Sequence, residues 1–394
     1  MPAAPIKLDV LRRYAVARTL FTPTTLPAAI KRLGFVQADP IRAPARAQDL
    51  ILRHRVKGYC AGDLERRYAA LGIEEDFFVN YGFLPRATQA LMHPRTPHAA
   101  WPPGRVAQAQ AVLAFVQARS HGTSGVHPRE VDAHFAHGRA LNGFGGSSNA
   151  STQLLDAMLY RGILRIAGRV SGVRTYAVSA SLSIALTQLD ADSLHAPLAL
   201  PQVPVQPSSS DQAMDALVDV IVHKYAPLPE RSLSDLMRLL INGGVPQWKA
   251  LRAAAFARAK LRLASTVIDG TAWYWPQTES PTSTRYAAKD GTPDAVRLLA
   301  PFDPLVRDRR RFELLWGWAY RFEAYTPAAK RVRGYYALPL LWRNQVIGWG
   351  NVSVAEGELK ADLGYVAGKP PREKAFGLAL QDELERMRVF LGLG

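Results

Sequence analysis

The order of its segments constrains the fold of this chain most, because helical stretches are repeatedly followed by a short β-hairpin. Between residues 105 and 164, three segments space their apolar residues helically: RVAQAQAVLAFVQARSHG, HPREVDAHFAHG and SSNASTQLLDAMLYRGIL. The next stretch, LRIAGRVSGVRTYAV (164–178), alternates on both sides of a Gly-Arg-Val-Ser-Gly turn, which predicts a hairpin. Three helices and a hairpin form the order of a winged helix.

A similar order is found at both ends of this segment. Three helical stretches between residues 212 and 261 precede LASTVIDGTAWYWP (263–276), a second candidate hairpin. Near the start, KLDVLRRYAVARTL (7–20) and TPTTLPAAIKRLG (22–34) are helical in pattern, and the second has Thr24 or Thr25 as cap and Gly34 as terminator. After the extended FVQADPI (35–41), ARAQDLILRHRV (45–56) predicts a third helix, which completes a helix-turn-helix pattern.

From about residue 295 the pattern becomes one of alternating strands broken by turn residues, and an amphipathic helix closes the chain. We therefore predict an α+β fold in which tandem winged-helix units (helix-turn-helix plus β-hairpin) precede a β-rich C-terminal region. The predicted domains are the winged-helix units 1–100, 101–200 and 201–285, and 286–394 for the β-rich region and terminal helix.

The charge balance favours a polyanionic partner. The 49 Lys and Arg residues exceed the 33 Asp and Glu residues, which gives a net charge of +16. Nucleic acid is the default partner for such a surface, and an anionic membrane is the second. We find neither a signal peptide nor a run long enough for a transmembrane helix, and the one cysteine, Cys60, excludes internal disulfides. These features predict a soluble, cytoplasmic protein that does not bind a membrane.

Cofactors and metals are not expected. There is no Walker A loop and no dinucleotide fingerprint. Four histidines lie close together in the sequence and are candidate metal ligands: His121, His127, His134 and His137. No cysteines and no carboxylate cluster complete a metal site with them. We therefore predict no metal and no cofactor.

Two stretches together resemble a known family: LGFVQADPI with RAQDLILRHRVKGY, and LLAPFDPLVRDRRRFELLWGWAYRFEAYTPAAKRVRGYYALPLL. They are similar to the AlkZ/YcaQ-type DNA glycosylases of bacteria, and the likeness extends over nearly the whole chain. The resemblance implies base excision repair of alkylation damage, with removal of N7-alkylated purines and unhooking of interstrand crosslinks. It also implies that residues 286–394 hold a small C-terminal β-barrel, that double-stranded DNA is the partner and that the location is nucleoid-associated. The family's Gln–aliphatic–Asp catalytic motif would lie in the first domain, where Gln37, Ala38 and Asp39 fall on it. We further expect the protein to act as a monomer.

The geometry of this motif is readable from the sequence. Residues two apart in an extended segment project to the same side, so Gln37 and Asp39 are predicted to face one way. Pro40 disfavours a helical conformation at Asp39 and removes a backbone donor. A carboxylate and an amide can together hold and activate a water. Without the family resemblance, the same pattern is more often typical of a cap at the entry to a turn than of a catalytic site.

Basic residues in both stretches are candidates for contacts with DNA phosphates. The alternative for the first group is a solvated helix face, with His54 as a possible structural hydrogen-bonder. In the second group, Asp308 and Glu313 interrupt the run that includes Arg307 and Arg311, so an internal ion-pair network is the alternative there. The candidates are Arg46, Arg53, His54, Arg55, Lys57, Arg309, Arg310, Lys330 and Arg331.

The predicted function is a monofunctional DNA glycosylase in which Asp39 and Gln37 position and activate a water and stabilise an oxocarbenium-like sugar. The competing hypothesis is a non-catalytic, DNA-binding transcriptional regulator built from winged helices. In that case Gln37 and Asp39 would cap the first unit and do nothing more. A protein-interaction scaffold is a third possibility that the charge disfavours.

Overall fold

The computed structural model describes residues 6–95, 101–119, 125–141, 146–179, 210–286 and 295–393. The chain divides into two compact units. The first comprises Met1–Leu64, Val218–Met237 and Ala254–Gly394, and the second comprises Glu65–Leu217 and Arg238–Ala253. The four predicted domains follow the linear order of the sequence, and their boundaries stay a prediction.

The first unit combines helices with two antiparallel sheets and a short strand near the candidate motif. Its helices are Leu8–Thr19, Leu26–Leu33, Ala47–Leu52, Arg309–Trp316 and Lys374–Leu391, and its strands are Val36–Gln37, Leu228–Pro229, Leu263–Ile268, Thr271–Pro276, Val296–Leu298, Leu338–Trp342, Gln345–Ala355 and Glu358–Tyr365. The helices Asp63–Arg66, Ser210–Tyr225, Glu230–Gly243 and Arg252–Arg262 have residues in both units.

The predicted helix ends near the motif are confirmed. Thr25 caps the helix Leu26–Leu33, and its side-chain oxygen accepts a hydrogen bond from the Ala28 amide at 3.4 Å. Gly34 ends the helix with φ of 67°, the left-handed conformation that glycine adopts without strain. These two residues therefore set where the chain leaves the helix and enters the strand Val36–Gln37.

The predicted third helix of the first segment is shorter than expected. It ends at Leu52, and every residue from Ala47 to Leu52 is buried. The chain then turns, and Val56 forms a parallel bridge with Thr24. A six-residue helix that is buried on all sides has no face in contact with solvent. The basic residues that directly follow it are therefore also directed towards the interior.

The predicted C-terminal β-structure is present as a half-barrel sheet, in place of the small β-barrel that was expected. Its antiparallel order among the described residues is Val296–Leu298, Leu338–Trp342, Gln345–Ala355 and Glu358–Tyr365, with the first and last at the edges. The terminal helix packs on the edge strand Val296–Leu298, where Glu383 accepts a hydrogen bond from the Leu298 amide at 2.8 Å. This carboxylate is fully buried, so the buried face of the amphipathic helix includes a charged residue.

The second unit contains the segment from which the winged-helix order was read. Its helices are Arg86–Ala90, Pro103–Arg119, Pro128–Phe135 and Ala150–Tyr160, and its strands are Ile73–Phe77, Tyr81–Pro85, Arg139–Leu141, Ser147–Asn149, Leu164–Val170 and Val173–Val178. The predicted hairpin closes through Ser171 and Gly172, both with positive φ. The order of three helices and a hairpin is therefore present, and the winged-helix classification stays a prediction.

Candidate active site around Gln37 and Asp39

The strand that carries the motif is held by a buried lysine. Lys224 lies in the helix Ser210–Tyr225, and its ammonium nitrogen donates a hydrogen bond to the Phe35 carbonyl. The side chain is almost completely buried, and this burial lowers the pKa of Lys224 well below its ordinary value. The contact fixes the backbone two residues before Gln37.

Gln37 is anchored and not open to solvent. Its side chain is only 2% exposed, and its amide oxygen accepts a hydrogen bond from Nε of Arg307 at 2.6 Å. Arginine can only donate hydrogen bonds, so the Gln37 atom that faces Arg307 must be the amide oxygen. The NH2 group of Gln37 therefore points away from Arg307. That Gln37 and Asp39 face one way stays a prediction, and the Gln37 oxygen meets Arg307 in the interior.

Asp39 is half-buried, and one of its carboxylate oxygens accepts a hydrogen bond within the protein. Its Oδ1 accepts a hydrogen bond from the Ile41 amide at 2.9 Å, which is the local turn that aspartate commonly forms. Through this oxygen Asp39 caps the entry to the turn, which is the alternative role considered from the sequence. Burial raises the pKa of Asp39, and the hydrogen bond from Ile41 opposes that rise. The carboxyl is therefore a stronger base than an exposed aspartate.

A buried ion pair connects the two stretches that carried the family resemblance. Arg55 and Asp303 are both fully buried and form two hydrogen bonds, at 2.8 and 3.1 Å. Nε of Arg55 also donates to the Thr19 carbonyl at 3.0 Å. The Asp303 backbone carbonyl accepts from the Arg307 amide at 2.9 Å, so the Phe-Asp-Pro turn places Arg307 where it reaches Gln37. This supporting role of Asp303 and Arg307 was not predicted.

The prediction of phosphate contacts is corrected for Arg53, His54 and Arg55. The Arg53 guanidinium donates to Glu383, and both side chains are buried. His54 is buried with Nε2 3.0 Å from the Leu298 carbonyl, and burial lowers its pKa well below the usual value. These side chains turn inward because the helix before them has no solvent face.

The other predicted DNA contacts are more accessible. Lys57, Arg309, Arg310 and Lys330 are exposed, and Arg46 and Arg331 are half-buried. Arg331 donates to the Thr326 carbonyl at 2.8 Å. A cavity of about 430 Å³ is lined by Arg309, Arg310 and Arg321 together with Glu313, Leu314, Ala319 and Tyr320. Phosphate contact by these six residues stays a prediction.

The arginine run at 309–311 divides between surface and interior. Asp308 caps the helix Arg309–Trp316 by accepting from the Arg311 amide at 3.0 Å. Arg311 is fully buried and donates to the carbonyls of Pro227 and Pro304 at 2.7 and 2.9 Å. Burial lowers the pKa of Arg311 to about 10. Arg311 is therefore internal, with backbone carbonyls as its partners, while phosphate contact by Arg309 and Arg310 stays a prediction.

A carboxylate fixes the loop that holds the Gly-Tyr-Tyr sequence. Glu323 accepts hydrogen bonds from three successive backbone amides, those of residues 332, 333 and 334, at 3.0, 2.8 and 3.3 Å. Gly334 has φ of 119°, and a side-chain carbon there would lie 2.2 Å from Oδ1 of Asn351. Beyond this turn, Tyr335 is 44% exposed and Tyr336 is 3% exposed.

The same loop borders a cavity near the motif. The cavity has a volume of about 580 Å³. Ala43, which follows Asp39 by four residues, contributes one wall, and Tyr335 and Tyr336 contribute another. Residues from the half-barrel sheet complete the lining: Asn351, Val352, Ser353, Lys360, Ala361 and Asp362.

The described histidines have structural partners. His127 caps the helix Pro128–Phe135, and Nδ1 of His137 lies 3.1 Å from the Ser151 hydroxyl. His121 lies outside the described residues. In the described ranges, no three His, Cys, Asp or Glu side chains are grouped so as to hold a metal ion. Nor does any helix of these ranges have the length and apolar character needed to cross a membrane.

Comparison with known proteins identifies the family to which this chain belongs. The family model described as DNA glycosylase AlkZ-like matches residues 30–390. Among solved structures, the Streptomyces sahachiroi DNA glycosylase AlkZ is similar, with a TM-score of 0.60 and 14% sequence identity over 99% of this chain and 98% of that chain. At this identity the structural likeness concerns the fold. The family match shows that the chain belongs to the AlkZ-like DNA glycosylase family, and the resemblance predicted from the sequence is confirmed.

Proposed function

We propose that this protein hydrolyses the N-glycosidic bond of N7-alkylated purines in double-stranded DNA and unhooks interstrand crosslinks joined through such bonds. Alkylation at N7 makes the purine cationic, so the base departs as a neutral molecule and needs no proton from an acid. The sugar then develops positive charge, and a water must attack its C1′ carbon. The protein has to hold that water, take up its proton and stabilise the cation.

Asp39 is assigned as the base and the electrostatic stabiliser. In the reaction, the C1′–N9 bond breaks, the water oxygen bonds to C1′, and the released proton passes to the Asp39 carboxylate. Gln37 is assigned to orient the water through its NH2 group, since its oxygen is engaged by Arg307. With water as the nucleophile, the enzyme is monofunctional and requires neither metal nor cofactor.

One observation carries this assignment: a Gln held in place by a buried network stands next to a half-buried Asp of raised pKa, in a glycosylase-family chain. An amide and a carboxylate suit a reaction in which the leaving group is already charged. Ordinary sugar hydrolysis uses two carboxyl groups, because its leaving group must be protonated.

The exposed basic residues are proposed to bind the DNA backbone. Lys57, Arg309, Arg310 and Lys330 offer exposed cationic groups to phosphates, and the half-buried Arg46 and Arg331 supplement them. Contacts of this kind set the register of the protein on DNA and make the affinity strongly dependent on salt.

The proposal is tested by single-turnover assays on duplexes that each contain one N7-methylguanine, with an unmodified duplex as control. We expect release of free N7-methylguanine and an abasic site only from the modified duplex. A duplex crosslinked through two guanine N7 atoms should separate into single strands. Tight, salt-sensitive binding with no base released from either substrate would refute the proposal and favour the regulator hypothesis.

Replacing Arg307 by methionine is expected to slow excision by roughly 10- to 100-fold, because a charge-assisted hydrogen bond of this kind contributes about 1.5–3 kcal/mol and Gln37 would lose its orientation. Methionine keeps the aliphatic length but not the donor. The measurement is the single-turnover rate constant on the N7-methylguanine duplex. Arg388→Met serves as the control, since that exposed arginine pairs with Glu385 on the terminal helix. Equal rate constants for wild type and Arg307→Met would show that Gln37 does not depend on this contact.

A further inference from the structure

Tyr336 combines deep burial with an unsatisfied hydroxyl group. It is 3% exposed, and its hydroxyl oxygen has no hydrogen-bond partner among the residues that the structure describes. A buried polar group in this state costs roughly 1–3 kcal/mol of stability. Such exceptions are rare in folded proteins and call for an explanation such as a catalytic role.

The orientation of the Tyr336 ring is fixed by its surroundings. The ring packs edge-on against Phe322, with centroids 5.2 Å apart and planes at 89°. The preceding backbone is held by the three hydrogen bonds to Glu323. Unlike a flexible surface tyrosine, Tyr336 is therefore presented in one orientation before any ligand arrives.

Asp39 is near Tyr336 and can accept a further hydrogen bond. Oδ1 of Asp39 accepts from the Ile41 amide, whereas the second oxygen has no partner in the described part of the chain. Tyr336 and Ala43 line the same cavity, which places the tyrosine beside the segment that follows Asp39. Burial raises the pKa of Tyr336, and after burial the negative charge of Asp39 is the largest cause of that rise.

We propose that the Tyr336 hydroxyl donates a hydrogen bond to the second carboxylate oxygen of Asp39 when damaged DNA is bound, and so holds that carboxylate towards the sugar. The hydrogen bond is not formed in the free protein. Catalytic hydrogen bonds are often long in free enzymes and tighten in the substrate complex. Tyr336 is thus a positioning residue that acts through Asp39, and its assignment rests on the proposed function.

The test compares Tyr336→Phe with wild type in three measurements. The single-turnover rate constant on the N7-methylguanine duplex is expected to fall by roughly 10- to 100-fold, since the lost hydrogen bond is to a charged group. The enzyme concentration that gives half-maximal rate should stay within about two-fold, because the hydroxyl does not contact DNA. The urea midpoint of unfolding should not fall, since phenylalanine keeps the ring and removes only the unsatisfied hydroxyl.

Ser232→Ala is the matched control. Ser232 is also buried, and its hydroxyl also has no partner in the described ranges. It lies in the helix Glu230–Gly243 and plays no part in the proposed chemistry. Its substitution should change the unfolding midpoint in the same direction as Tyr336→Phe and leave the rate constant at the wild-type value.

Three results would overturn the assignment. A Tyr336→Phe rate constant equal to wild type would show that the hydroxyl is not used. A parallel loss of rate, affinity and unfolding midpoint would show that Tyr336 only supports the fold. If wild type itself releases no base, the proposed function fails and this assignment fails with it. In the first two cases wild type is active, so the two failures are distinguished.

Discussion

Replacing Asp39 by asparagine is expected to lower the rate of base excision by roughly 100-fold or more, because general-base catalysis typically contributes 10²- to 10⁴-fold. Asparagine keeps the shape and can still accept from the Ile41 amide. It cannot take a proton from water, and it carries no charge to stabilise the cationic sugar. The single-turnover rate constant on the N7-methylguanine duplex is the measurement. Full activity in this variant would disprove the role of Asp39 while leaving the glycosylase assignment intact.

The pH dependence gives an independent check on the same residue. Burial raises the pKa of Asp39, so the wild-type rate should rise with pH through that raised value and level off once the carboxyl is ionised. Asp39→Asn should lack this rise. A wild-type rate independent of pH in the acidic range would argue against an ionised Asp39 in the reaction.

The stability of Asp39→Asn separates loss of chemistry from loss of fold. A raised pKa means that the folded protein binds this proton more tightly than the unfolded chain does. Ionisation of Asp39 therefore costs stability in full above the raised pKa, and this cost disappears below the ordinary pKa of the carboxyl. The variant should consequently be at least as stable as wild type at pH 7, and any difference should vanish as the pH falls below the ordinary value.

Replacing Asp303 by alanine is expected to reduce the free energy of unfolding by about 3–5 kcal/mol, the usual cost of removing one partner of a buried ion pair. Arg55 would remain buried without its countercharge. The turn that places Arg307 would also lose a cap, since Oδ1 of Asp303 accepts from the Leu305 amide at 3.0 Å. We therefore expect weaker folding and, in the surviving folded protein, slower excision.

Urea unfolding followed by circular dichroism measures this loss, with Glu385→Ala as the matched control. Glu385 pairs with Arg388 on the exposed surface of the terminal helix, where water screens both charges. Its removal should leave the unfolding midpoint almost unchanged. If Asp303→Ala unfolds at the same urea concentration as Glu385→Ala, the Arg55 charge must reach water or another partner, and the proposed support for Arg307 loses its basis.

Local features of the fold were predictable because their causes are local. The Thr25 cap and the Gly34 terminator act within one helical turn, and the hairpin at residues 164–178 is set by alternation around a two-residue turn. The C-terminal β-structure was also predicted, and it forms a half-barrel in place of the small β-barrel that was expected. Closure depends on how edge strands approach one another, and alternation within single strands carries no information about that.

The basic residues show where local patterns are insufficient. Arg53, His54 and Arg55 have the spacing and composition of a phosphate-binding helix, yet their partners are Glu383, the Leu298 carbonyl and Asp303, more than 240 positions further along the chain. A free cation and a buried member of an ion pair look alike in sequence. The same holds in the second stretch, where Arg311 is internal and Arg309 and Arg310 are exposed.

The sequence by itself determined the motif, the extended entry to it before Pro40 and, through two distant stretches, the family. Those properties follow from residue order and backbone sterics. Only the tertiary structure decided that Gln37 is anchored by Arg307, that Arg55 and Asp303 support this anchor from the interior, and that Tyr336 stands near Asp39 with an unsatisfied hydroxyl. Burial and long-range pairing set these features, since a charge or hydroxyl acquires its role from what folding places beside it.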